Sequence, residues 1–123
     1  MLRLALFALP MALAAAPALA RPELASATPA AGATVSAPGQ ITLRMSEPIA
    51  PRSSGASLVM TGMPGMADHA PMKMAVRASV AGDGRTLVLT PARKLPAGQY
   101  RVEWFAVSAS GERSVGTHIF GVR

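Results

Sequence analysis

The chain has 123 residues, no cysteine, twelve Lys plus Arg against six Asp plus Glu, and a net charge of +6. Without cysteine, disulfides, thiolate metal sites and cysteine nucleophiles are excluded, so any metal held here must use other donors. The basic balance does not point to nucleic acid. Arg44, Arg52, Arg77, Arg85, Arg93, Arg101, Arg113 and Arg123 are scattered singly with no aromatic platform among them, whereas a nucleic-acid surface clusters its charge.

Residues 1–20 combine Arg3, an apolar stretch from Leu4 to about Ala16 and the small-residue ending Ala18-Leu19-Ala20, the pattern of a cleaved secretory signal. That stretch is too short, and too broken by Pro10 and Pro17, for a membrane span, which needs about 20 mostly apolar residues. The expected mature chain begins at Arg21, has no membrane span, and forms one domain over 21–123 with a single core.

Beyond the leader, alternating or β-branched segments recur at 23–28, 40–45, 56–60, 75–80, 86–90, 99–108 and 115–122, about seven strands in all. Pro38-Gly39, Gly82-Asp83-Gly84 and Pro96-Ala97-Gly98 punctuate them as turns, and no stretch after the leader has a helical period. The spacing predicts an all-β fold, an antiparallel Greek-key barrel or sandwich. Alternation in the sixth segment directs Tyr100, Val102, Trp104 and Ala106 to the core and Arg101 and Glu103 away from it. The run Leu95-Pro96-Ala97-Gly98-Gln99-Tyr100 resembles the tyrosine corner of immunoglobulin-like sandwiches, a structural role for Tyr100.

Residues 60–74, MTGMPGMADHAPMKM, hold five of the chain's eight methionines. Met60, Met63, Met66, His69 and Met72 follow one another at intervals of three. A helix does not explain this, because Gly62, Pro64, Gly65 and Pro71 penalise or break helical backbone. An extended polyproline II chain repeats every three residues and predicts that these side chains line one side of a loop. Thioethers are soft and do not titrate, so such a cluster favours Cu(I), with the imidazole as a stronger nitrogen donor. Met74 is the weakest candidate, and Met60, at the end of an apolar strand, suits either a ligand or a core role. Asp68 is either an acceptor that orients the His69 imidazole or a solvated loop acid. His118, in register with Phe120 and Val122, is expected to be a core or rim histidine with a hydrogen-bond partner rather than a ligand.

Several segments together resemble the periplasmic copper-resistance protein C (CopC) family. They are Leu24-Ala25-Ser26-Ala27-Thr28-Pro29-Ala30, Leu43-Arg44-Met45-Ser46-Glu47-Pro48, Pro96-Ala97-Gly98-Gln99-Tyr100-Arg101-Val102-Glu103-Trp104 and the carboxy-terminal strand. Met60-Thr61-Gly62-Met63-Pro64-Gly65-Met66 with His69 and Met72 is similar to the Cu(I) loop of one branch of that family. The resemblance implies a barrel related in shape to cupredoxins and a copper-carrying role in the periplasm. It also implies a Cu(II) site built from an amino-terminal histidine and an Asp-x-His pair. Here Arg21 stands at the expected start and Ser110-Gly111-Glu112 in the later loop, which leaves Glu47 as the one residual position, too few donors for Cu(II).

The function expected from these readings is a non-catalytic carrier or store of Cu(I) for copper resistance or homeostasis. Its partners would be the copper ion and a second copper-handling protein of the periplasm or inner membrane. No activated nucleophile, paired carboxylate or zinc-type cluster suggests an enzyme. The alternative is an immunoglobulin-like adhesion or assembly module whose methionine loop is a protein contact surface.

Overall fold

The computed structural model describes residues 21–66 and 70–123; the leader-like residues 1–20 and Ala67, Asp68 and His69 lie outside the described residues. The described strands are β1 (Leu24–Thr28), β2 (Thr34–Val35), β3 (Ile41–Met45), β4 (Gly55–Gly62), β5 (Met72–Met74), β6 (Val76–Val80), β7 (Thr86–Pro91), β8 (Gly98–Val107) and β9 (Arg113–Val122). They form a sandwich of a four-stranded sheet, β1-β3-β7-β6, and a five-stranded sheet, β2-β9-β8-β4-β5. No helix among the described residues is long and apolar enough to cross a membrane.

The all-β sandwich is as expected, with two differences in detail. The strand count is nine among the described residues rather than about seven, because β2 has only two residues and β5 lies inside the segment expected to be loop. The pairing is not wholly antiparallel: Thr34 and Val35 of β2 run parallel to Gly121 and Val122 of β9. Two residues are too short to show a period of two, and Met72-Lys73-Met74 alternates too briefly to be read as a strand.

Alternation along β8 sets the core. Tyr100, Val102, Trp104 and Ala106 are buried beside Leu58 and Met60 of the neighbouring β4, and join Ile41 and Leu43 of β3 and Leu87 and Leu89 of β7, from the other sheet, in one apolar cluster. Burying side chains of this size stabilises by about 1.5–3 kcal/mol each, which makes the two inner faces the main source of stability. The Trp104 ring lies across β9, where a Cβ at Gly116 would come within 2.5 Å of it, so the glycine leaves the space the indole fills. The indole Nε1 is buried without a hydrogen-bond partner.

Tyr100 ties three elements together. Its ring stacks on Phe120 at 5.5 Å, its backbone pairs with Met60 of β4, and its hydroxyl donates to the Pro96 carbonyl at 2.6 Å. This is the tyrosine corner expected from the sequence, and burial raises the phenol's pKa above its ordinary value. Tyr100→Phe keeps the stacked ring and loses that hydrogen bond, so chemical denaturation is expected to show a loss of about 0.5–1.5 kcal/mol.

Candidate metal centre

The site is built at the end of the sandwich where β4 leaves the sheet. Between Met60 and Gly62 the register against β8 slips, with Met60 opposite Tyr100 and Gly62 opposite Gln99, so Thr61 is the extra residue of a β-bulge. The chain therefore exits with a bend. At this point β4 and β8 come close enough that a Cβ on Gly98 would collide with the Gly62 carbonyl oxygen and meet the Met60 methyl at 3.3 Å. Only a glycine at 98 permits this approach.

Past the bulge, Met63 and Met66 face each other across a two-residue turn. Each backbone N–H donates to the other's carbonyl at 2.9 Å. Pro64 supplies the fixed φ and Gly65 the φ of +80° that a type II turn demands. Residues paired in this way project their side chains to the same side, with Cα atoms about 5.5 Å apart. The three-residue interval here is thus the i, i+3 spacing of a reverse turn, not polyproline II backbone. The Pro-Gly dipeptide was the signal in the sequence that marks such a turn.

The return strand β5 brings Met72 to the base of this connection, directly opposite Met60, and Met74 opposite Leu58. Their surroundings separate the methionines into two groups. Met63, Met66 and Met72 are exposed by 38%, 52% and 51%, whereas Met60 is 2% exposed within the core cluster and Met74 is half-buried against it. Met60 is therefore packed as a core residue, and Met74, in register with Leu58, also faces the core. His69 and Asp68, the imidazole donor and its candidate acceptor, lie outside the described residues. Their neighbours in sequence, Met66 and Ala70, are both exposed.

At the opposite end of β8 lie Arg21, Ser110 and Glu112, the positions where the resemblance implies Cu(II) donors. The strand's 10 residues place its two ends about 30 Å apart at a rise near 3.4 Å per residue. Arg21 and Glu112 form an ion pair at 3.6 Å with the arginine side chain 70% exposed, a pair worth little in stability. Ser110 is hydrogen-bonded to Ser108 at 2.8 Å, and Ser108 accepts from the Glu112 backbone N–H at 3.2 Å, so the β8–β9 turn is closed on itself. Glu47 is half-buried, and among the described residues no three His, Cys, Asp or Glu side chains gather as a metal-binding group.

His118 is 4% exposed, and its Nε2 lies 2.7 Å from the Pro29 carbonyl, to which it donates. This contact ties β9 to the segment between β1 and β2. It is a buried, partnered histidine, as its register suggested. His118→Ala is expected to lower unfolding free energy by about 1–3 kcal/mol in denaturant titration, because it leaves that carbonyl without its partner.

The CopC domain profile matches residues 24–123, and the chain belongs to the CopC family. It is 43% identical over 106 residues to copper resistance protein C of Escherichia coli, covering 86% of this chain and 84% of that protein. It is 46% identical over 111 residues to copper resistance protein C of Pseudomonas syringae pv. tomato, covering 90% and 87%. Its structure is similar to the crystal structure of PcoC, a methionine-rich copper resistance protein from E. coli, with a TM-score of 0.78 and 41% identity over 85% of this chain and 100% of that one. CopC from Methylosinus trichosporium OB3b is more distant, at a TM-score of 0.68 and 26% identity over 82% and 92%.

Proposed function

We propose that this protein is a periplasmic copper-resistance protein that carries Cu(I) on its methionine turn, without catalysis of its own. The observation that supports this most is the facing pair Met63 and Met66, exposed on one side of a Pro-Gly turn, with Met72 exposed at the base of the same connection. Filling a core requires none of these features, whereas a soft monovalent ion asks for converging neutral sulfur donors within reach of solvent. Met63, Met66 and Met72 supply the thioethers in this reading, and His69 adds a nitrogen donor. Met60 serves as the packed floor below them.

Exposure also suits transfer by ligand exchange to a second copper-handling protein. Export follows from the leader-like residues 1–20, and the relatives' roles in copper resistance favour copper over an adhesion role, which rests on sandwich shape alone. The resemblance implies Cu(II) donors where this sequence has Arg21 and Ser110-Gly111-Glu112, which supports reading the methionine turn as the copper site of this chain.

The test is Cu(I) competition against a chromogenic chelator for residues 21–123 and for the triple variant Met63→Ala, Met66→Ala, His69→Ala. A large loss of affinity is expected in the variant; equal affinity contradicts the site. Met60→Ala separates floor from ligand. It is expected to cost about 2–5 kcal/mol of stability, the usual range for a buried methionine truncated to alanine, while Cu(I) affinity in the folded fraction stays near that of the parent.

A further inference from the structure

We propose that Met63, Met66 and Met72 form a reversible sulfoxidation site, through which a peroxide-class oxidant switches off soft-metal binding while the sandwich stays folded. This inference rests on the Cu(I) reading of the same three residues.

The observation behind it is how the fold partitions its methionines. Met63, Met66 and Met72 are 38%, 52% and 51% exposed, while Met60 and Met45 are 2% and 1% exposed, and Met74 is half-buried against the core. Oxidant from solvent reaches the first three directly. Met60 is covered from β8, where Gly98 lies against its methyl and Tyr100 pairs with it across the strands. Met45 is shielded within the core cluster of both sheets.

The chemistry balances with hydrogen peroxide alone. A thioether lone pair attacks one peroxide oxygen, the O–O bond breaks, an S–O bond forms, and the sulfur is oxidised by two electrons as the peroxide is reduced to water. The product is methionine sulfoxide, polar and chiral where the thioether was apolar. Its exposed oxygen is a hard donor, and the one lone pair that remains on the oxidised, electron-poorer sulfur is a weaker donor to Cu(I) than the thioether's. Met63 and Met66 project to the same side of their turn, so oxidation of either one disrupts the pair. The fold is spared because the sulfoxides form in water, whereas the same change at Met60 or Met45 would put an unpartnered polar group into the core. An exposed turn is also open to peptide methionine sulfoxide reductases, which reverse the modification.

The experiment treats the metal-free protein, residues 21–123, with limiting hydrogen peroxide. Modified sites are then mapped by peptide mass spectrometry, with Cu(I) affinity and the thermal midpoint measured in parallel. One added oxygen is expected at each of Met63, Met66 and Met72 before Met74, and before any at Met45 or Met60. Affinity should fall by about a hundredfold or more, since loss of even an outer partner of a ligand costs 10–100-fold, with the midpoint unchanged. Two methionine sulfoxide reductases, one for each sulfoxide epimer, should together restore both mass and affinity. Oxidation of Met45 or Met60 at the same rate, unfolding on treatment, or full affinity after oxidation of the three would each overturn the proposal. Failure of the untreated protein to bind Cu(I) would instead overturn the reading on which it rests, and that is measured before oxidant is added.

Discussion

Tyr100 holds the methionine end of this molecule in place. It stands in register between Met60 of β4 and Phe120 of β9, fully buried, with its hydroxyl fastened to Pro96, two residues ahead of its own strand. That anchoring fixes where β8 begins, and β8 begins at Gly98, whose bare backbone lets the Gly62 carbonyl approach. The bulge at Thr61 follows from the same pairing, and the bulge aims the chain out of the sheet toward the Met63–Met66 turn. The position of an exposed loop is thereby determined by a buried aromatic and a close backbone contact.

A consequence is a division of labour among residues of one type. Met45 and Met60 are held as apolar filler, a use to which a flexible thioether is well suited, and Met63, Met66 and Met72 are held out of the core by a turn and an edge strand. Leaving about half of a large apolar side chain in water forgoes on the order of 1 kcal/mol of burial energy for each. On the proposed reading, that exposure keeps a set of soft donors open to an incoming ion. At the far end of β8 the chain spends its charged groups on an exposed Arg21–Glu112 pair and a self-closed serine turn instead.

Much of the sandwich is legible in the sequence, since the alternation from Tyr100 to Ala106 and the Gly and Pro punctuation each have a direct physical cause. The placement of Tyr100, Trp104 and His118 is legible for the same reason: period-two alternation states which side of a strand a residue occupies. The site is legible only in part. Composition marks residues 60–74 as unusual, but equal spacing makes Met60 look equivalent to Met63 and Met66, although one side of the Thr61 bulge is core and the other is loop. Spacing of three is shared by polyproline II backbone and by the ends of a reverse turn, and Pro64-Gly65 decides for the turn. Strand β5 escapes notice because its pairing to β4 is a long-range fact that three residues cannot announce.

In the proposed function, copper is held by sulfur from the Met63–Met66 turn and from Met72 at its base. X-ray absorption at the copper edge of the Cu(I)-loaded protein, residues 21–123, tests it most directly. A shell dominated by sulfur with a nitrogen contribution is the predicted result. A shell of oxygen and nitrogen alone would contradict the account.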